Sequence, residues 1–176
     1  MAAVAGHYLE AHRAGVAKAR QIAEVKAPGA ADLVVVAPGG FPKDANLYQA
    51  QKALYHAGAV VKPGGRIILV AEGSEGSGDR LFEETMAAWP TPEEVVKDFE
   101  SREFQLGVHK AYLWARTLTK ARTILVSSHL PEGLAKIMMV EQVGTLQAAL
   151  DRVTPHLPED AQVILMPKAS STIPVL

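Results

Sequence analysis

Four short aliphatic runs recur along the chain, and none of them alternates apolar with polar positions. A run that is apolar on both faces is typical of a strand in a parallel sheet that helices cover on both sides. The four runs are Leu33–Ala37, Ile67–Ala71, Thr123–Val126 and Val163–Met166. Weaker strands are predicted at Ile22–Lys26 and Ile137–Val140.

Amphipathic stretches separate these runs. From Asp44 to Val61, apolar residues recur at the three- and four-residue spacing of a helix, and Lys62-Pro63-Gly64-Gly65 ends the pattern. Asp44 or Asn46 can cap the first turn. The other predicted helices are Leu9–Arg20, Asp79–Ala88, Pro92–Phe99, Val108–Lys120 and Glu141–Val153.

Strands that alternate with helices predict an α/β fold. We expect a single doubly wound, mostly parallel sheet of four to six strands, with helices on both faces in a Rossmann-like three-layer arrangement. The sequence shows no internal repeat and no linker. Residues 1–176 are therefore expected to form one domain.

Composition narrows the classes of function. The absence of cysteine excludes a disulfide scaffold, a thiolate nucleophile, an iron–sulfur cluster and a cysteine-ligated zinc. A net charge of −1 gives no electrostatic footprint for nucleic acid or an anionic membrane. No apolar run is long enough to span a membrane, and charged residues interrupt the amino terminus where a secretory leader needs an apolar core. A cytoplasmic location is expected.

The ligand site of an open α/β sheet lies outside the carboxyl ends of its strands. Four polar segments follow the predicted strands: Pro38–Asn46, Glu72–Gly78, Ser127–Glu132 and Pro167–Thr172. These segments supply the candidate binding residues Gly39, Gly40, Asp44, Glu72 and His129.

The helix that follows the first of these segments carries a further candidate cluster. Asn46, Gln49 and Lys52 stand three residues apart, so their side chains line one face. At a helix amino terminus, whose free N–H groups favour anions, they could hold a carboxylate or a carbonyl-bearing substrate. A solvated helix face with capping residues is the alternative.

Other chemistry is less well supported. The two glycine-rich segments, PGGFPKD (38–44) and EGSEGSG (72–78), match neither a dinucleotide fingerprint nor a P-loop. Glu72 and Glu75 would also repel phosphate. Ordinary strand-to-helix loops are therefore the alternative to a nucleotide site. The six histidines include no metal-ligand pair, which predicts no metal site. Trp89 and Trp114 are expected in the core or an interface rather than against a ligand.

A longer pattern carries a family resemblance. The run ADLVVVAPGGFPKDANLYQAQKAL (31–54), followed by VVKPGGRIILVAEGSEG (60–76), contains G-G-[FY]-P-x-D-x-N-x-Y-Q-x-x-K. It resembles the carboxyl-terminal domain of the nickel-dependent lactate racemase family. GVHKAYLWAR (107–116) and MPKASSTIPV (166–175) resemble later segments of that domain, so the similarity spans nearly the whole chain.

The resemblance implies a two-domain enzyme in which a nickel pincer nucleotide transfers hydride at the α-carbon of a 2-hydroxy acid across a cleft. It implies that Gln49 and Lys52, which match the Q-x-x-K of the motif, hold the cofactor or the substrate carboxylate. It also implies an aromatic residue in the cleft, for which Tyr112 and Trp114 are the nearest candidates.

The family's cofactor-anchoring lysine, nickel-ligating histidine and acid–base histidines lie in its amino-terminal domain, and no counterpart is present here. The expectation is therefore a cleft-closing domain of a 2-hydroxy-acid racemase, without catalytic residues or a cofactor of its own and inactive alone. Its partner would be the missing domain or a separate chain carrying it. The alternatives are a small carboxylate- or nucleotide-binding module and a self-associating structural domain that forms a homo-oligomer.

Overall fold

A computed structural model describes residues 3–176 and shows two parallel sheets. Its strands are β1 (Glu24–Lys26), β2 (Ala31–Val36), β3 (Val61–Val70), β4 (Arg122–Val126), β5 (Glu141–Val143), β6 (Val163–Met166) and β7 (Ile173–Val175). Five of them form the main sheet in the order β5-β4-β3-β2-β6, with every neighbouring pair parallel. β1 and β7 form a separate two-stranded ribbon.

Helices flank both faces of the main sheet. They are α1 (Tyr8–Ala23), α2 (Leu47–Val60), α3 (Arg80–Ala87), α4 (Pro92–Ser101), α5 (Val108–Lys120), α6 (Leu134–Ile137) and α7 (Leu146–Val153). α2 and α5 pack on one face, with α3 and α4 against α5, while α7 packs on the other face over β3, β4 and β5. The predicted α/β class, with a parallel sheet of four to six strands and helices on both faces, is confirmed.

The two faces of the sheet are packed unequally. Leu47, Leu54 and Trp114 belong to the large core on the α2 and α5 side. The smaller core on the other side is formed by α7 residues such as Val153 packed on sheet residues such as Ile68. The substantial core therefore lies beneath α2, the helix that carries the candidate cluster.

Side-chain caps explain where four of the helices begin. Asn46, Asp79, Thr91 and Thr145 each accept a hydrogen bond from the backbone N–H three residues later. Such caps satisfy one of the N–H groups that a helix start leaves without a partner inside the helix. Of the two caps that the sequence offers for α2, the structure uses Asn46.

Two predictions between residues 137 and 153 are wrong. The strand expected at Ile137–Val140 lies at Glu141–Val143, and the helix expected from Glu141 starts at Leu146. β5 is a short edge strand with a polar face on which Glu141 pairs with Arg152, so its hydrophobicity does not mark it as a strand.

Two other strand predictions need correction. Ile22 lies in α1, and the strand that follows, Glu24–Lys26, pairs with β7 outside the main sheet. Val163–Met166 is a strand as predicted, but it is not buried on both faces: Val163 is 55% and Leu165 70% exposed. The reason is that β6 lies at the sheet edge, beyond the strands that α7 covers.

Among the described residues, no helix combines the length and the apolar character that a bilayer crossing needs.

Candidate functional site

The loops that follow β2 and β3 are joined by backbone hydrogen bonds at one edge of the sheet. Gly73 N–H donates to the carbonyl of Asp44, and Glu75 N–H to that of Ala45, both at 2.9 Å. These bonds hold the segment before α2 against the loop after β3. The start of α2 is therefore fixed by residues that are some thirty positions away in the chain.

The amino-terminal N–H groups of α2 are already occupied. Leu47 N–H donates to the carbonyl of Gly76 at 3.0 Å, and Tyr48 N–H to that of Ser77 at 2.9 Å. Gln49 N–H donates to Oδ1 of Asn46 at 3.0 Å. The expectation that free N–H groups of this helix would attract an anion is wrong, because loop carbonyls and the cap have taken them. An anion at this position would have to be bound by side chains.

Asn46 links the two loops as well as capping α2. Its Nδ2 donates to Oε2 of Glu75 at 2.9 Å. The neighbouring Gly78 has φ +76°, and a Cβ built on it would lie 2.4 Å from Cγ of Asn46. Glycine is required at position 78 both for that backbone conformation and for the close approach. Asn46 thus positions the helix, and both groups of its amide are engaged.

Gln49 and Lys52 form the polar pair that remains open to solvent. Nζ of Lys52 donates to Oε1 of Gln49 at 2.8 Å, one helical turn away. Lys52 is exposed and forms no salt bridge with a carboxylate of residues 3–176. An ammonium with unused donors beside an amide is a suitable partner for a carboxylate.

A buried cluster that sequence reasoning did not single out lies beside this pair. Nζ of Lys110, on α5, donates to Oε1 of Gln51 at 3.0 Å and lies 4.7 Å from the ring centroid of Tyr48. Burial lowers the pKa of Lys110 below its ordinary value, and the positive charge of Lys52 lowers it further. Tyr48 is part of the Y-Q-x-x-K motif and Lys110 of the GVHKAYLWAR segment, so both motifs carried a signal for these residues.

The remaining candidates on the loops lie at the same edge. Gly39 and Gly40 form the exposed turn after β2. Nδ1 of His129 lies 4.0 Å from Oε1 of Glu72, with both side chains exposed. One carboxylate oxygen of Asp44, Oδ1, is buried and has no hydrogen-bond partner among the described residues.

The two aromatic candidates on α5 do not join this cluster. Trp114 is fully buried, and its indole N–H donates to the carbonyl of Met138 at 2.9 Å, so it cannot reach a ligand at the surface. Tyr112 stacks on Phe99 with a centroid distance of 4.5 Å, and the guanidinium of Arg116 lies over its ring. Tyr48 is the aromatic side chain that adjoins Gln49 and Lys52.

The glycine-rich loop at 72–78 serves packing between loops. A Cβ on Gly73 would lie 2.9 Å from Leu130, and one on Gly78 would collide with Asn46. These close approaches account for glycine without a phosphate ligand. They favour the ordinary strand-to-helix loop over a nucleotide site.

Comparison with known proteins identifies related chains. Residues 26–174 match the family described as the lactate racemase C-terminal domain. Lactate racemase from Thermoanaerobacterium thermosaccharolyticum is 30% identical over 174 residues, which is 97% of this chain and 41% of the relative. Lactate racemase from Lactiplantibacillus plantarum is 28% identical over 172 residues, 96% of this chain and 40% of the relative. The chain thus spans about two fifths of the relatives it matches.

The fold is similar to solved structures. The lactate racemase apoprotein from T. thermosaccharolyticum superposes with a TM-score of 0.87 at 30% identity, covering 97% of this chain and 42% of that one. A protein from Thermotoga maritima superposes with a TM-score of 0.63 at 13% identity, covering 96% and 42%, which shows a shared fold alone.

Proposed function

Because the chain belongs to the lactate racemase C-terminal domain family, we propose that it closes the cleft of a lactate racemase-like protein and binds the carboxylate of a 2-hydroxy acid. The observation that carries the proposal is the Gln49–Lys52 pair. It presents a cation that has no carboxylate partner within residues 3–176, on a helix whose start is fixed by two loops.

The pair can orient the acid as well as attract it. Lys52 supplies a positive charge and several N–H donors, and Gln49 supplies an amide that can both donate and accept. A carboxylate bound to Lys52 would bring the hydroxyl on its α-carbon towards Gln49, whose Oε1 lies 2.8 Å from Nζ of Lys52. Tyr48, the residue before Gln49 on α2, borders this position.

The nickel pincer nucleotide implied by the family would supply reversible hydride transfer at that α-carbon. The described residues do not form a metal site of their own, because residues 3–176 contain no group of three or more His, Asp or Glu side chains that could hold a metal ion. We therefore assign the nickel to the partner domain and derive no step of the reaction through it. This chain binds and orients the substrate.

A partner is supported by apolar surface that the described residues leave uncovered. None of the 16 residues of α1 is buried, although the helix carries Tyr8, Leu9 and Val16. Val163 and Leu165 of β6 are also exposed. A partner that packs against these side chains would remove them from water. The occupant in this proposal is an amino-terminal catalytic domain, since the relatives are more than twice as long.

Titration with sodium lactate, followed by amide chemical shifts of the labelled chain, tests the carboxylate site. We expect shifts around Gln49 and Lys52 that saturate, and their loss in Lys52→Met, which keeps the apolar stem and removes the charge. Lys136→Met, which removes an exposed lysine on α6, is the matched control and should titrate as the wild type does. Equal binding by the wild type and Lys52→Met would contradict the proposal.

Two further measurements test the division of labour. Polarimetry should detect no racemisation of lactate by this chain alone, and turnover by the isolated chain would refute the assignment of catalysis to the partner. Sedimentation velocity of the chain, alone and mixed with the amino-terminal part of the T. thermosaccharolyticum enzyme, should reveal a complex only in the mixture. A stable homodimer that does not bind the amino-terminal part would favour the self-associating domain instead.

A further inference from the structure

In the part of the chain that the structure describes, Lys110 is a buried cation without an anionic partner. Only 7% of the residue is exposed, and it forms no salt bridge with a carboxylate of residues 3–176. It is also the third residue of α5, where the positive end of the helix dipole disfavours a cation. Burying a charge is costly unless it is paired, so this lysine requires an explanation.

Among the described residues, two groups on α2 offset that cost. The ammonium donates to Oε1 of Gln51 at 3.0 Å and lies 4.7 Å from the centroid of the Tyr48 ring. A cation over a tyrosine face and a bond to a neutral amide stabilise an ammonium less than a carboxylate would. Nε2 of Gln51 is itself buried without an acceptor among the described residues, so the amide is held by Lys110 alone.

These contacts bring Lys110 to the proposed carboxylate site. Tyr48 and Gln51 lie in the first two turns of α2, next to Gln49 and Lys52. Lys52 is close enough to contribute, after burial, to the lowered pKa of Lys110. Two positive charges therefore lie at this part of α2, one on the helix and one packed against it, and within residues 3–176 no carboxylate pairs with either of them.

We propose that Lys110 assists carboxylate recognition through its charge: held in place by Gln51 and Tyr48, the buried ammonium adds to the attraction that Lys52 exerts on an anionic ligand. The inference rests on the proposed function, because it requires the carboxylate site at Lys52. The ligand carboxylate is the counter-charge that both lysines lack. A neutral ligand of the same shape gains nothing from the buried charge.

The experiment compares lactate with lactamide, its neutral isostere, in titrations of the wild type, Lys110→Met and Lys52→Met. We expect Lys110→Met to weaken lactate binding about tenfold, as expected for two charges several ångströms apart at an effective dielectric of about 20 with partial screening by solvent. Binding of lactamide should stay unchanged. Gln51→Glu provides a second variant that keeps Lys110 in place and gives it a carboxylate partner. This variant should also weaken lactate binding and leave lactamide binding unchanged.

Each outcome has a definite meaning. If Lys110→Met and Gln51→Glu bind lactate as the wild type does while Lys52→Met does not, the role of Lys110 is refuted and the carboxylate site stands. If Lys110→Met weakens the binding of lactate and of lactamide equally, Lys110 only supports the packing of α2 on α5, and the electrostatic role is refuted. If the wild type does not bind lactate, the carboxylate site itself fails.

Discussion

Replacing Asn46 by alanine tests whether the joined loops position the candidate site. The substitution removes the cap on Gln49 N–H and the bond from Nδ2 to Glu75, at 3.0 and 2.9 Å. Loss of an asparagine cap costs about 1 kcal/mol, and the exposed amide–carboxylate bond contributes about another 1 kcal/mol. We therefore expect the free energy of unfolding to fall by about 2 kcal/mol. For a chain of this size the midpoint of thermal unfolding should drop by about 4–8 °C.

Asn46→Asp separates the two contributions. Aspartate caps a helix as well as asparagine does, so the bond to Gln49 N–H is kept. The donor to Glu75 is lost, and two carboxylates then face each other. The free energy of unfolding should fall by about 1 kcal/mol, which places this variant between the wild type and Asn46→Ala. The charge–dipole interaction at the helix start offsets part of the repulsion.

Thr145→Ala is the matched control, since Thr145 caps α7 through a 3.1 Å bond from Ala148 N–H on the opposite face of the sheet. It should lose about 1 kcal/mol of stability and bind lactate normally. Asn46→Ala should weaken lactate binding as well as stability, because Gln49 and Lys52 follow the cap directly. Urea unfolding monitored by tryptophan fluorescence, with lactate titration of the same samples, measures both quantities.

Two results would refute this reasoning. If Asn46→Ala unfolds within about 0.5 kcal/mol of the wild type, the cap and the link between loops do not hold α2 in place. If Thr145→Ala weakens lactate binding as much as Asn46→Ala, binding follows global stability instead of the position of α2.

Three further substitutions test other contacts. The Lys62 ammonium, and after it a backbone N–H, hold the pKa of Asp32 below its ordinary value of 3.8, so Asp32→Asn should be destabilising at pH 7. The difference in stability from the wild type should vanish as the pH falls below 3.8 and through the folded-state pKa, which urea unfolding at pH 7 and at lower pH measures. Trp114→Phe leaves the carbonyl of Met138 without its donor and should lower the free energy of unfolding in urea by about 1–3 kcal/mol. Lactate binding should be unchanged, whereas it would weaken if the tryptophan contacted the ligand. Gly78→Ala places a methyl group 2.4 Å from the capping side chain of α2, at a φ that alanine adopts poorly, and should lower both the thermal midpoint and lactate affinity; wild-type values for both would contradict the close approach.

The fold was predictable wherever a segment's own pattern decides its structure. The helix predicted over Val108–Lys120 is observed at those residues, because its apolar spacing is regular and Gly107 precedes it. β5 was missed because its charged Glu141 is stabilised by Arg152, which comes eleven residues later. The exposure of Leu165 could not be predicted either, because an aliphatic run has the same sequence pattern in an edge strand as in a central strand.

At the candidate site, the helix and the pairing of two of its side chains were predictable, and the binding role of these residues stays a prediction. Gln49 and Lys52 lie within three residues of each other, so their pairing follows from helical spacing alone. Lys110 and Gln51 are 59 positions apart and meet only because α5 packs on α2. A single sequence contains no direct sign of such a contact.

The chemistry expected at the start of α2 changed for a physical reason. A sequence shows that a helix begins near Asn46, but whether its first N–H groups are free depends on which carbonyls lie against them. Here the carbonyls of Gly76 and Ser77 occupy two of these N–H groups, so the backbone has no donors left for a ligand at those positions. In the proposed site, discrimination of a carboxylate from a neutral group then depends on the charges of Lys52 and Lys110. Removing either charge should therefore affect the choice between lactate and lactamide more than the fold.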